Sequence, residues 1–227
     1  MEYYRRNLPH WQIAGEEYFV TIRLANSLPA AVIKDIKRQR REFKITSQNK
    51  EKLWKADKKL NERRLFKKYE ELLDNPKSGP QWLRLKDVAN IAKDSLHYRD
   101  GVEFDLYAYC IMSNHIHIVF RHLNKEDKSN DNLKYAPVTN ILKSFKSFTG
   151  LHANRVLQRQ GAFWQEESFD RIIRNQKELE NVIAYTLNNP VKANLVSSWK
   201  EWPHSYCKEE FIGLKGGLKP CTFSAEL

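Results

Sequence analysis

Residues 103–120 read EFDLYAYCIMSNHIHIVF, two runs of aromatic and β-branched residues separated by only a few positions. The simplest topology for so short a connection is an antiparallel hairpin. Side chains alternate between the faces of a strand, so His115 and His117 project to one side and Ile116, Ile118 and Phe120 to the other. Two readings of the histidines stand open at this point. They are polar positions on the solvated face of a half-buried strand, or a pair of imidazoles that together hold one metal ion.

The text around the hairpin extends the pattern. YFVTIRLA (residues 18–25) reads as a strand, and NSLPA follows as turn chemistry with proline near a helix start. From Ala30 to about Leu73 apolar positions recur against charged faces, predicting helix with a break near ITSQN. DNPKSGPQW is a turn, and LKDVANIAKDSLHYRDG is a helix that stops before Gly101. After the hairpin, VTNILKSFKSFTGLHANRVL predicts a helix interrupted at Gly150, FWQEESFDRIIR a fourth strand, and NQKELENVIAYTLNNP an amphipathic helix. The packing stripe of that last helix is Leu179, Val182, Ile183, Thr186 and Leu187, and Pro190 is expected to end it. Strand, helix, strand, strand, helix, strand is the split βαβ order, so the expected class is α+β, with a ferredoxin-like antiparallel sheet and helices on one face. One domain over 1–227 is expected, with a long basic helical insertion at about 30–78 and an irregular C-terminal tail at about 196–227.

Charge enters because 39 Lys and Arg against 28 Asp and Glu leave +11, which makes a polyanion the first partner to consider. Residues 34–74 hold 15 basic and 8 acidic residues, so +7 of that excess lies in the helical insertion. A solvated charged helix accounts for the same numbers. Cys110, Cys207 and Cys221 are widely spaced and form no CxxC pair, which argues against a disulfide framework and a cysteine zinc finger. The sequence holds no apolar run of about 18 residues and no signal-type leader, so no membrane partner is expected and a cytoplasmic location is.

Tyr185 lies off the apolar stripe of the last helix, on one face with Asn181 and Asn189. Residues four apart stack, so Tyr185 and Asn189 reach toward a common site. A partly exposed tyrosine bonded to water is the plainer account.

Taken in order, HIH after MSN, GAFWQEESFDRIIRN and AYTLNNPVKANLV resemble the REP-associated tyrosine transposases, a branch of the single-tyrosine HUH transposases. RRNLPHWQIAGEEYFVTIRLANSLP and LLDNPKSGPQWL share the likeness, which runs from about Tyr4 to Val196. The resemblance implies a HUH transposase-like domain in which His115 and His117 ligate a divalent ion, Mg²⁺ or Mn²⁺, with Asn189 as third ligand and Tyr185 as nucleophile. It implies cleavage and rejoining of single-stranded DNA at hairpin, REP-like sites through a 5′-phosphotyrosine intermediate and a free 3′-hydroxyl.

Those residue types suit that chemistry. A phenol, with a pKa near 10, is a poor nucleophile at neutral pH and needs help from a neighbouring charge. A metal supplies it by polarising the phosphoryl oxygen. From imidazole ligands alone, Zn²⁺ or Mn²⁺ is expected ahead of Mg²⁺, which prefers oxygen donors. For the DNA, Lys143, Lys146, Arg171 and Arg174 are candidate phosphate contacts, His10 a candidate DNA contact, and Trp11, Trp82 or Trp164 candidate stacking platforms. A homodimer is compatible with the sequence, because the tyrosine helix completes either its own site or a partner's. Two rivals remain: a non-catalytic nucleic-acid-binding protein of the same fold, and a metal-dependent hydrolase using water.

Overall fold

A computed structural model describes residues 2–5, 9–29, 31–35, 38–39, 64, 71–74, 79–123 and 137–213. Strand β1 (Glu2–Arg5) pairs with β2 (Pro9–Gln12) as a separate two-stranded ribbon. The main sheet holds β3 (Glu17–Arg23), β4 (Phe104–Ile111), β5 (His115–His122), β6 (Phe169–Ile172) and β7 (Ser205–Cys207), in the order β6-β3-β5-β4-β7. Every pairing in it is antiparallel. Helices α1 (Lys86–Arg99), α2 (Pro137–Val156) and α3 (Gln176–Lys192) make the crossovers and the C-terminal cover, and α4 (Glu209–Ile212) is a single turn. Without β7, the first four strands in the order β6-β3-β5-β4 are the ferredoxin-like arrangement that the split βαβ reading predicted.

The alternation of β3 and β5 divides the molecule into two cores. Tyr18, Val20, Ile22, Ile116, Ile118 and Phe120 pack under α1 and α2, through Val88, Ala92 and Leu96 of one helix and Val138, Ile141 and Phe145 of the other. Phe19 and Val119 point the opposite way, against Leu179, Val182, Ile183 and Leu187 of α3. The two crossover helices α1 and α2 share one face, as expected of the split βαβ order, and the C-terminal helix α3 is an addition that covers the other. The reason is that the second face also carries large apolar side chains, Phe19 and Val119, which need a cover of their own.

Three expectations change. Helix α2 runs through Gly150 without a break, because Gly150 faces Phe163 and Trp164, with room for no more than a Cβ at ordinary contact distance. Pro190 does not end α3, which continues to Lys192, closed by bonds from Ala193 N–H to the Asn189 carbonyl (3.0 Å) and from Leu195 N–H to the Pro190 carbonyl (2.9 Å). The tail is not irregular throughout: Ser205–Cys207 joins the sheet edge beside β4. Most of the basic insertion at 30–78 lies outside the described residues, and its described stretches at 31–35, 38–39, 64 and 71–73 are helical. Among the described residues, no helix is long and apolar enough to cross a membrane.

Candidate active site

The turn between β4 and β5 sets Asn114 and the two histidines at the end of the central hairpin. Asn114, His115 and His117 are 0% exposed. The Asn114 Nδ2 donates to the Leu73 carbonyl at 3.0 Å, and its Oδ1 lies 2.6 Å from His115 Nδ1. Because the amide nitrogen is committed to a carbonyl, the oxygen faces the ring, and His115 Nδ1 must carry the proton. The Nε2 of His115 is then a bare lone pair. Burial, and after it the neighbouring His117 and Lys192, hold the His115 pKa well below its ordinary value, so the ring is neutral.

His117 Nε2 lies 3.1 Å from His115 Nε2, and its Nδ1 lies 3.0 Å from Thr21 Oγ1. A hydroxyl donates or accepts, so the pair has two states. With Thr21 donating, His117 carries its proton on Nε2 and closes a hydrogen bond to His115. With Thr21 accepting, two lone pairs stand 3.1 Å apart, and a cation would satisfy both. Neighbouring ligands of a six-coordinate ion at about 2.1 Å stand about 3.0 Å apart, and the observed 3.1 Å matches that edge. Thr21 and Asn114 are absent from the sequence reading, and it is the register of β3 on β5, which pairs Thr21 with His117, that brings Thr21 in.

Helix α3 brings in the rest. Its entry is fixed by a reciprocal cap: Asn175 Oδ1 accepts from Glu178 N–H at 2.9 Å, and Glu178 Oε2 accepts from Arg174 N–H at 3.0 Å. Tyr185 packs its ring 5.5 Å from that of His117 and 5.9 Å, edge on, from that of Phe19. At 7% exposure it belongs to the α3 core and is not the partly exposed tyrosine that the plainer account supposed. It sits over the histidines of its own chain.

One turn on, Asn189 is 1% exposed. Its Nδ2 donates back to the Tyr185 carbonyl at 2.9 Å, which turns Oδ1 away, and that oxygen is buried with no hydrogen-bond partner. An orphaned buried acceptor costs about 1–3 kcal/mol, and a cation would relieve it. Residues 185, 189 and 192 share one helical face. Lys192 Nζ, at its far end, lies 2.6 Å from Asp74 Oδ2, and Asp74 Oδ1 lies 3.9 Å from His115 Nε2. The helix thus touches His117 through Tyr185 and reaches Asp74, which lies beside His115, through Lys192.

The candidate DNA contacts are dispersed. Arg171 pairs in register with Phe19, hence on the α3 face, where it meets Glu178 at 3.2 Å. Arg174 is exposed beside it. Lys143 and Lys146 lie on α2, across the sheet from the histidines. Lys143 is exposed, whereas Lys146 donates to the carbonyls of Gln165 and Glu166 at 2.8 and 2.9 Å. Both line a cavity of 540 Å³ between α2 and the 161–170 segment. Trp164 is a core residue whose Nε1 donates to Thr149 Oγ1 at 2.7 Å, and Trp82 is sandwiched by Phe163 and the Arg159 guanidinium. Neither offers a free platform. His10 and Trp11 lie in β2, and their side chains are outside the described residues.

No protein-family profile matches the chain. A solved structure of a REP-associated tyrosine transposase bound to a REP hairpin aligns with 90% of this chain and 82% of its own, at 17% identity and a TM-score of 0.46. A Haemophilus influenzae protein, whose assignment as a REP-associated tyrosine transposase is itself provisional, is 29% identical over 102 residues. That match covers 45% of this chain and 58% of the relative's length. The sequence match bears out the resemblance carried by the motifs: it is to the REP-associated tyrosine transposases that this chain is similar.

Proposed function

We propose that this chain is a metal-assisted single-stranded DNA strand transferase that cuts and rejoins DNA at hairpin, REP-like sites with Tyr185 as its nucleophile. The observation that supports the proposal is the contact of the Tyr185 ring, from the C-terminal helix that also carries the buried Asn189, with His117 of the mid-chain hairpin, beside His115. The relative's name and the net charge of +11 agree with a nucleic-acid substrate.

His115, His117 and Asn189 would hold Mg²⁺ or Mn²⁺, which when bound polarises a phosphoryl oxygen and stabilises the leaving oxyanion. Asn114, and Thr21 when it accepts from His117 Nδ1, would direct both Nε2 lone pairs at that position. Phe19 and His117 orient the Tyr185 ring by edge contacts. The Tyr185 oxygen attacks phosphorus and displaces the 3′-oxygen, leaving a 5′-phosphotyrosine and a free 3′-hydroxyl. One phosphodiester replaces another, so rejoining needs no nucleotide cofactor.

The test is incubation with hairpin-bearing single-stranded DNA and Mn²⁺, followed by denaturing electrophoresis. A covalent adduct is expected, lost in Tyr185→Phe and in chelator, with DNA affinity retained by the variant. An adduct that survives Tyr185→Phe would move the nucleophile elsewhere. Cleavage without an adduct would favour a water-using hydrolase, and binding without cleavage a non-catalytic protein.

A further inference from the structure

The segment before Gly79 contributes a carboxylate that neither the motifs nor the relative assigns. Asp74 is 12% exposed at its side chain, with Oδ1 3.9 Å from His115 Nε2 and Oδ2 2.6 Å from Lys192 Nζ. Its position is built. The Asn114 amide that fixes the His115 tautomer uses its other end to hold the carbonyl of Leu73, the residue before Asp74. One side chain therefore orients the imidazole and brings the carboxylate to that ring's open nitrogen. Lys192 engages Oδ2 from the same helical face that carries Tyr185 and Asn189, and it does so because α3 continues past Pro190.

We propose that Asp74 is an oxygen ligand of the ion held by His115, His117 and Asn189, and that Lys192 positions it. The inference rests on the metal-assisted reading above. Ligands of a six-coordinate ion at about 2.1 Å stand about 3.0 Å apart when adjacent and about 4.2 Å when opposite. The 3.9 Å from Asp74 Oδ1 to His115 Nε2 is about 0.9 Å longer than the adjacent edge, so Asp74 would close by that much to become a neighbouring ligand. The chemistry is also apt. Two imidazoles alone favour Zn²⁺, whereas adding an anionic oxygen and an amide oxygen gives an N₂O₂ set that suits Mn²⁺ and Mg²⁺, with positions left for substrate. Lys192 offsets the carboxylate's charge when no ion is present.

The experiment is a Mn²⁺ titration followed by electron paramagnetic resonance, on the full chain without DNA, comparing wild type with Asp74→Asn, Lys192→Met and His115→Ala. Loss of an outer partner of a metal site costs about 10–100-fold in affinity, so loss of a ligand should cost at least about tenfold. The expected result is a tenfold or larger weakening in Asp74→Asn and a smaller loss in Lys192→Met, which removes only the positioning partner. Wild-type affinity in Asp74→Asn would overturn the proposal. So would equal losses in Asp74→Asn and Lys192→Met, because the pair would then act only by docking α3. If wild type itself binds no Mn²⁺, or His115→Ala binds as well as wild type, the underlying metal reading fails as well, and the two failures are told apart.

Discussion

Asn114 is the residue whose loss should be felt most widely, because one buried amide serves both ends of the site. Asn114→Ala removes its bonds to His115 Nδ1 (2.6 Å) and to the Leu73 carbonyl (3.0 Å), at a position with 0% exposure. Each buried hydrogen bond contributes about 0.5–1.5 kcal/mol, and a buried group left unsatisfied costs about 1–3 kcal/mol. Water entering the vacated space will satisfy part of what is lost, so a total of about 3 kcal/mol is expected. For a domain of this size that corresponds to a Tm lower by roughly 6–12 °C. The same change frees the His115 ring to exchange tautomers, so Mn²⁺ affinity should fall by about 10–100-fold. Asn114→Asp separates the two roles: a carboxylate still accepts from His115 Nδ1 but cannot donate to the Leu73 carbonyl. It should keep more of the metal affinity than alanine does. The assays are thermal and urea unfolding in metal-free buffer, and Mn²⁺ titration. An Asn114→Ala protein within about 0.5 kcal/mol of wild type, with unchanged Mn²⁺ affinity, would refute the claim that this amide organises the site.

Other perturbations test neighbouring links. Thr21→Val keeps the shape but removes the acceptor for His117 Nδ1, so Mn²⁺ affinity should drop about tenfold or more, with recovery in Thr21→Ser; the metal titration decides it. Asn175→Ala removes the α3 cap and should cost about 1 kcal/mol, read as a lower urea midpoint without loss of adduct formation in the surviving folded protein. Gly79→Ala would set a Cβ against the Asn26 carbonyl oxygen and the Ser27 backbone at a φ of +71°. It should destabilise by more than about 1 kcal/mol, and a normal melting curve would contradict that contact.

Gly79 also shows how far a motif can be read. SGPQW is turn chemistry in the sequence, but the need for glycine is a close approach to a distant backbone, at Asn26 and Ser27. The strand alternation likewise put His115 and His117 on one face and Ile116, Ile118 and Phe120 on the other, and the structure agrees. What alternation left open was whether that histidine face meets water or protein. A period of two says which residues share a side and nothing about what covers it.

By itself, then, the sequence determined the elements, their split βαβ order, the common face of the histidines, and the one-turn spacing of Tyr185 and Asn189. These are local consequences of period, turn chemistry and capping, each carried within a window of a few residues. Only the tertiary structure decided that α3 lies alone on the second face, that Asn114 and Thr21 set the imidazole protons, and that Asp74 and Lys192 arrive beside His115. Asp74 stands 41 positions before His115, and Lys192 stands 77 after it. Contacts at that separation arise from how two cores pack on one sheet, and no local periodicity encodes them.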